Sequence, residues 1–205
     1  MSEETKQIDG RNMRSIATKQ KLLDAARDLF YEFGFKKTTI TQIIKRAETG
    51  YGTAYVHFKG KDEILIALME TVMQEFLDMA HTPFLPTSKE EAKELVLNQV
   101  TAFLTMAKSN KDIMKVFAEA ISLSPAVNEK WDDIRKTNIH FIIRDITYAQ
   151  SQGLVRSDLK IDIVARSWFL INENHQWDLV RDDTSESIED IAWTITTMYI
   201  DGLYK

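Results

Sequence analysis

The chain offers few of the side chains on which catalysis or metal binding is usually built. It contains no cysteine, which excludes disulfides, thiolate metal sites and a thiol nucleophile and makes a reducing compartment its natural home. Its four histidines, His57, His81, His140 and His175, are not spaced as metal ligands, and no glycine-rich phosphate loop occurs. Glu173 could be imagined as the orienter of His175, but residues two apart on a helix do not share a face. No catalytic activity, cofactor or metal is therefore expected. The segment whose residue types do suggest chemistry is ETGYGTAYVHF, Glu48 to Phe58. Tyr51 and Thr53 offer hydroxyls to a phosphate or a base edge, Gly52 allows close approach of backbone, and Tyr55 and His57 are amphipathic and reach the same side. Thr38 and Thr39 can bond a phosphate through hydroxyl or backbone N–H, Lys61 stands where it could clamp one, and Thr49 completes the set. Blander roles compete: Thr39 is useful as a helix cap in any case, Tyr55 could be a core ring with its hydroxyl at the surface, and His57 could be a structural histidine.

The distribution of charge decides between a polyanion-binding surface and an ordinary one. The net charge is -5, which by itself speaks against nucleic acid. Residues 11 to 61, however, hold eleven Lys or Arg against four acids, an excess of +7, while the remaining residues carry 15 bases and 27 acids, or -12. A small basic module joined to an acidic body fits a DNA-binding head on a domain with another task.

Three prolines and seven glycines in 205 residues leave long uninterrupted stretches, so the fold class expected is all-α, about nine helices, with no strand and no internal repeat. No run approaches eighteen apolar residues and the N-terminus lacks the apolar core of a signal peptide, so a cytoplasmic protein without membrane contact is expected. A flexible tail over 1–13, a three-helix head over 14–60 and a larger helical body over 61–205 are the domains expected. The first helix runs from near Ser15 to Phe33, with Gly34 as its stop. Thr39 and Gln42 form a capping box for a short second helix, whose Ile40, Ile43 and Ile44 turn inward. After a turn containing Gly50 comes a short third helix, with Ala54 and Phe58 as its inward pair. A fourth runs from Lys61 to about Ala80, where two closely spaced prolines force a loop. Helices starting at Ser88, Lys111, Ser124, Ile161 and Glu186 make up the rest, and GLVRSDL is read as a loop between two of them.

Two short helices with a tight turn, braced by a longer one, meet the requirements of a helix-turn-helix. The stretch KLLDAARDLFYEFGFKKTTITQIIKRAETGYGTAYVHFKGKDEIL resembles the N-terminal domain of the TetR family of bacterial regulators: LF..FG, then TT..QI..RA, then YGT.Y.HF, then K.K.E.L. The resemblance covers about residues 18 to 65. It implies DNA contact by Thr39, Tyr51, Gly52, Thr53, Tyr55, His57 and Lys61, and a homodimer that represses at a palindromic operator in double-stranded DNA and releases it when a small molecule binds the body. Activation, or control by a protein partner, is the alternative. Three positions depart from the pattern. Glu48 replaces a small residue, Thr49 a valine and Tyr51 a lysine. Glu48 brings negative charge close to a polyanion, at a cost in affinity unless it points away or pairs with Lys45 or Arg46.

The body is rich in aromatic side chains at helical spacing, most of them needed simply as core. Core alone explains poorly why Asn172, Glu173, His175 and Gln176 stand together in an otherwise apolar helix. Together with Phe76, Phe103, Phe117, Trp131, Phe141, Trp168 and Trp177 they are the residues expected to line a pocket for an apolar or aromatic effector, unless the polar group belongs to a dimer seam. The resemblance implies that the last two helices pair with those of a second copy, and the stripe Ile188, Ile191, Ala192, Ile195, Met198 and Tyr199 is the seam expected on the last one.

Overall fold

The computed structural model describes the backbone of residues 3–205 and the side chains from Asn12 onward. The described residues form nine helices: α1 (Glu3–Lys37), α2 (Ile40–Arg46), α3 (Tyr51–His57), α4 (Lys61–Ala80), α5 (Lys89–Ser109), α6 (Lys111–Leu123), α7 (Pro125–Ser151), α8 (Ile161–Arg181) and α9 (Ile188–Leu203). The all-α architecture thus matches the expectation, including the number of helices. Two local differences stand out. Helix α1 begins at Glu3, well before Ser15. Hydrophobic periodicity could not reveal this first part, because its residues from Asn12 to Ile16 remain exposed. The tail expected over 1–13 is therefore helical in its described part, and residues 1 and 2 lie outside the described residues. In GLVRSDL, Val155 forms a single antiparallel bridge to Tyr204. Arg156 N–H donates to the Leu203 carbonyl at 3.1 Å and Lys205 N–H to that of Leu154 at 2.9 Å.

The chain divides into two compact units, one running up to Thr71 and taking in Val116–Lys130, the other made of Val72–Lys115 and Trp131–Lys205. The first unit therefore includes a segment from α6 and α7 besides the region expected as the head. In it, α2 and α3 both pack on α1. Leu22, Ala26, Leu29 and Phe30 of α1, Ile43 and Ile44 of α2, Ala54 and Phe58 at α3, and Ile64 and Leu65 of α4 are all buried, so each short helix contributes one apolar edge to the core. Such helices are too short to be stable alone; burial of these edges, at about 1.5–3 kcal/mol per large side chain, is what holds them. In the second unit α5 packs on α8 and α9, around Val96, Val100, Leu104, Ile146, Ala165 and Ile195.

One backbone feature sets the end of α1. Gly34 has φ 76° and ψ 170°, a conformation open to glycine and strained for residues with a Cβ. A Cβ built on it would stand 2.8 Å from Glu119 Oε2, and that same oxygen accepts the Phe35 N–H at 2.7 Å. Strain and contact therefore act together. Gly34→Ala is expected to lower unfolding stability by about 1–3 kcal/mol, measured by urea denaturation; a stability equal to the parent chain's would contradict this account of the turn.

Candidate functional site

The expected capping box at α2 is present. Thr39 Oγ1 accepts the Gln42 N–H at 3.3 Å, and Gln42 Oε1 accepts the Thr39 N–H at 2.8 Å. Thr39 nevertheless remains exposed. Thr38, beside it, is fully buried, and its hydroxyl lies within reach of the Leu29 and Gly34 carbonyls, 3.2 and 2.8 Å away. Its hydroxyl therefore serves the end of α1 and not the surface. Lys61 likewise turns inward: its ammonium donates to the carbonyls of Phe35 at 2.6 Å and Thr38 at 2.8 Å and lies 4.2 Å from the centre of the Phe35 ring. Burial holds its pKa below the usual lysine value, against the opposing influence of Asp62 and Glu119. In this structure Lys61 is a clamp on the protein's own backbone.

The exposed face belongs to α3. Ala54 and Phe58 are buried, as the spacing predicts, which turns Tyr51, Gly52, Thr53 and Tyr55 outward together, with His57 half-buried. Tyr51 is 54% and Tyr55 47% exposed, so neither ring is spent on the core. The Thr49 hydroxyl is buried without a hydrogen-bond partner and does not belong to this face. Glu48, in the turn between α2 and α3, is exposed with φ 51°, a left-handed conformation that favours glycine and costs a residue with a Cβ about 1 kcal/mol. Arg46, one of its two expected partners, instead donates both guanidinium nitrogens to Glu32, at 2.8 and 3.0 Å. Because both members of that pair are exposed and screened by solvent, Arg46 can be released to a phosphate at little cost.

In the second unit a cavity of about 110 Å³ opens among α4, α5, α7 and α8. Five of the residues expected at a pocket line it: Phe76, Phe103, Phe141, Trp168 and Asn172. The other six do not. Phe117 is fully buried in the first unit. Trp131 and Glu173 form a separate buried network, in which Glu173 Oε1 accepts the Trp131 indole N–H at 2.9 Å and the Arg135 Nε–H at 2.8 Å, with Trp177 against the Trp131 ring at 5.3 Å. Gln176 is buried with its amide nitrogen unpartnered, and His175 is half-buried. A single polar cluster in the sequence thus splits three ways, because successive helical residues face different neighbours. Sequence reasoning missed Asp145, Asn138 and Gln99, which also line the cavity. Their only signal was a polar residue on the inner side of an amphipathic helix, which charged surface residues easily mask.

On α9 the stripe Ile191, Ala192 and Ile195 is buried within the chain's own core, Ile188 packs on that core from a partly buried position, and Tyr199 stacks on Trp168 with ring centres 4.1 Å apart. The most periodic apolar positions fill the chain itself first. Met198, 65% exposed, is the member of the stripe left outside, and Ile163, Leu170, Ile171 and Trp193 are the other large apolar side chains exposed on α8 and α9.

Asp145 carries the clearest electrostatic signature of the cavity. Burial pushes its carboxyl up to about 6, against the opposing hydrogen bond and charge of Arg144. The folded chain therefore holds this proton more tightly than the unfolded one, so the buried charge costs stability above pH 6, and the cost fades as the pH falls from about 6 to about 4. Asp145→Asn keeps the shape and removes the charge. It is expected to raise the melting temperature by several degrees at about pH 7.5 and to leave it nearly unchanged at about pH 4; the same gain at both, or none at the higher pH, would contradict this assignment.

Among the described residues no group of three His, Asp or Glu is arranged to hold a metal ion, and no helix is long and apolar enough to cross a membrane. Residues 22–68 match the bacterial regulatory proteins of the tetR family. The HTH-type transcriptional regulator YhgD of Bacillus subtilis is 29% identical over 146 residues, which span 69% of this chain and 74% of that protein. The fatty acid metabolism regulator protein of the same organism is 20% identical over 185 residues, spanning 90% and 94%. Among solved structures, the SmeT–triclosan complex has a TM-score of 0.70 at 21% identity over 92% of both chains, a likeness of fold; SmeT is the repressor of the Stenotrophomonas maltophilia multidrug efflux pump SmeDEF. The matched segment is the one that folds into the basic three-helix head with α3 exposed, and in that segment the chain carries the helix-turn-helix domain of the tetR family of bacterial regulatory proteins.

Proposed function

We propose that the chain binds a palindromic operator in double-stranded DNA as a homodimer, represses transcription there, and releases the DNA when a small apolar or aromatic effector occupies the cavity of the second unit. The observation that carries the DNA part is the outward cluster of Tyr51, Gly52, Thr53 and Tyr55 on α3, set in the segment with the positive excess. Hydroxyls, an amphipathic ring and unshielded backbone at the start of a helix suit the major groove and its flanking phosphates. His57 lies half-buried at the end of the same helix, Thr39 stays exposed at the start of α2, and Lys61 and Thr38 fix the end of α1, the helix on which both short helices pack. The effector part rests on the aromatic cavity, and the SmeT structure, which holds triclosan, is a neighbour in fold with a compound of that character.

The dimer reading rests on what α8 and α9 leave uncovered. Ile163, Ile171 and Met198 border an apolar groove, and exposed apolar patches of this kind mark interaction surfaces. A two-fold pair would present two heads to half-sites about one helical turn apart. Release would pass along α4, which begins at Lys61 in the first unit and supplies Phe76 and Met79 to the cavity in the second. An occupant that binds one position of this helix better than the other shifts the balance between two states, the requirement for allosteric control. A double variant, Ile163→Glu with Met198→Glu, is expected to sediment as a monomer, to keep its helical circular dichroism, and to bind the DNA flanking its own gene at least about tenfold more weakly. A variant that remains dimeric would overturn this seam.

A further inference from the structure

The charge and hydrogen-bonding character of the cavity narrows what it can take, on the reading that it holds the effector. Asp145 is the only ionisable residue in its lining; no Lys, Arg or His contributes. One carboxylate oxygen, Oδ1, accepts from Arg144, at 2.8 Å from Nε and 2.7 Å from the second guanidinium nitrogen. Arg144 is not itself a lining residue, although it donates to the Ala80 carbonyl at 3.1 Å and lies over the Phe141 ring at 5.1 Å behind the wall. Oδ2 of Asp145 has no donor among the described residues. The two asparagines of the lining point the same way. Asn138 donates its amide N–H to the Ile134 carbonyl at 2.9 Å, and Asn172 to that of Trp168 at 2.8 Å. Each amide oxygen is thereby left as the acceptor to be satisfied. The apolar part of the wall is mainly aromatic, with Phe76, Phe103, Phe141 and Trp168, and aromatic faces are themselves electronegative. Acceptors, a carboxylate and ring faces together favour a positive, donor-bearing ligand, whereas an anion would find no cationic group in the lining and only neutral amide donors such as that of Gln99.

Size sets the second limit. An engineered apolar cavity of ~150 Å³ is known to hold benzene, and this one measures about 110 Å³, so it seats a single ring, with room for a substituent on its open side. We propose that the cavity selects a small monocyclic aromatic cation, its ring among Phe76, Phe103 and Trp168 and its ammonium group directed to Asp145 and the neighbouring amide oxygens.

The test uses three compounds that share a ring and differ in charge: benzylamine, benzyl alcohol and benzoate. They are titrated calorimetrically into the full chain and into Asp145→Asn at about pH 7.5. The expected result is benzylamine binding at least about tenfold more tightly than benzyl alcohol, with benzoate weaker than both. In Asp145→Asn the two neutral-to-positive compounds should bind within about twofold of each other, with benzyl alcohol unchanged from the parent chain. Benzyl alcohol binding as well as benzylamine, benzoate binding best, or a preference for benzylamine that survives Asp145→Asn would overturn the proposed ligand class while leaving the cavity as an effector site. Failure of all three to bind would overturn both readings.

Discussion

Everything in the head is arranged around the turn that ends α1, and two opposite charges hold that turn. A helix end leaves backbone groups without partners, and the left-handed glycine at Gly34 adds a break in the ladder. Glu119 takes up the Phe35 and Lys36 N–H groups, at 2.7 and 3.3 Å, while Lys61 takes up carbonyls on the other side of the same turn. Thr38 fills the space between with a buried hydroxyl. With these groups satisfied, the chain enters α2 at the Thr39 cap in a fixed direction, and the buried edges of α2 and α3 then dictate which side of α3 is exposed. The exposed face of α3 thus depends on side chains that lie outside it.

The second unit poses the opposite problem: it must be close-packed and yet keep a space. Its core is filled by the residues of strictest periodicity, including the stripe on α9. The cavity lies where that periodicity is interrupted by Asp145, Asn138 and Asn172. Polar groups in such a place resist being covered by apolar side chains, and each requires a protein partner, water or a ligand. Elsewhere in the unit the requirement is met internally, as where Trp131 and Arg135 converge on Glu173.

The fold was legible because helices announce themselves locally. Thr39 with Gln42, Ser124 before Pro125, and Ser88 before Glu91 each mark a start, and the structure has a helix beginning just after each. Ala54 and Phe58 could be read as the inward pair of α3, and with them the outward set. Tertiary partners could not be read. Nothing local says that Lys61 would spend its ammonium on carbonyls from a segment more than twenty residues earlier, or that Arg46 would reach back to Glu32. The pocket was half legible for the same reason: aromatic composition identified Phe76, Phe103 and Phe141, but Trp131 and Glu173 find each other across 42 positions of sequence. A periodic stripe does not state whether it faces its own core or a partner, which is why Ile191, Ala192 and Ile195 turned out to lie inside.

The central claim is that the face of α3 is a sequence-specific DNA surface on a dimeric regulator. The measurement that addresses it most directly is a titration of the chain, at several salt concentrations, against DNA flanking its own gene and against unrelated DNA of equal length. The account predicts tight binding confined to one short palindrome in the flanking DNA, at least about a thousandfold above the control, with affinity falling as salt rises. Equal, weak and steeply salt-dependent binding to both would contradict it.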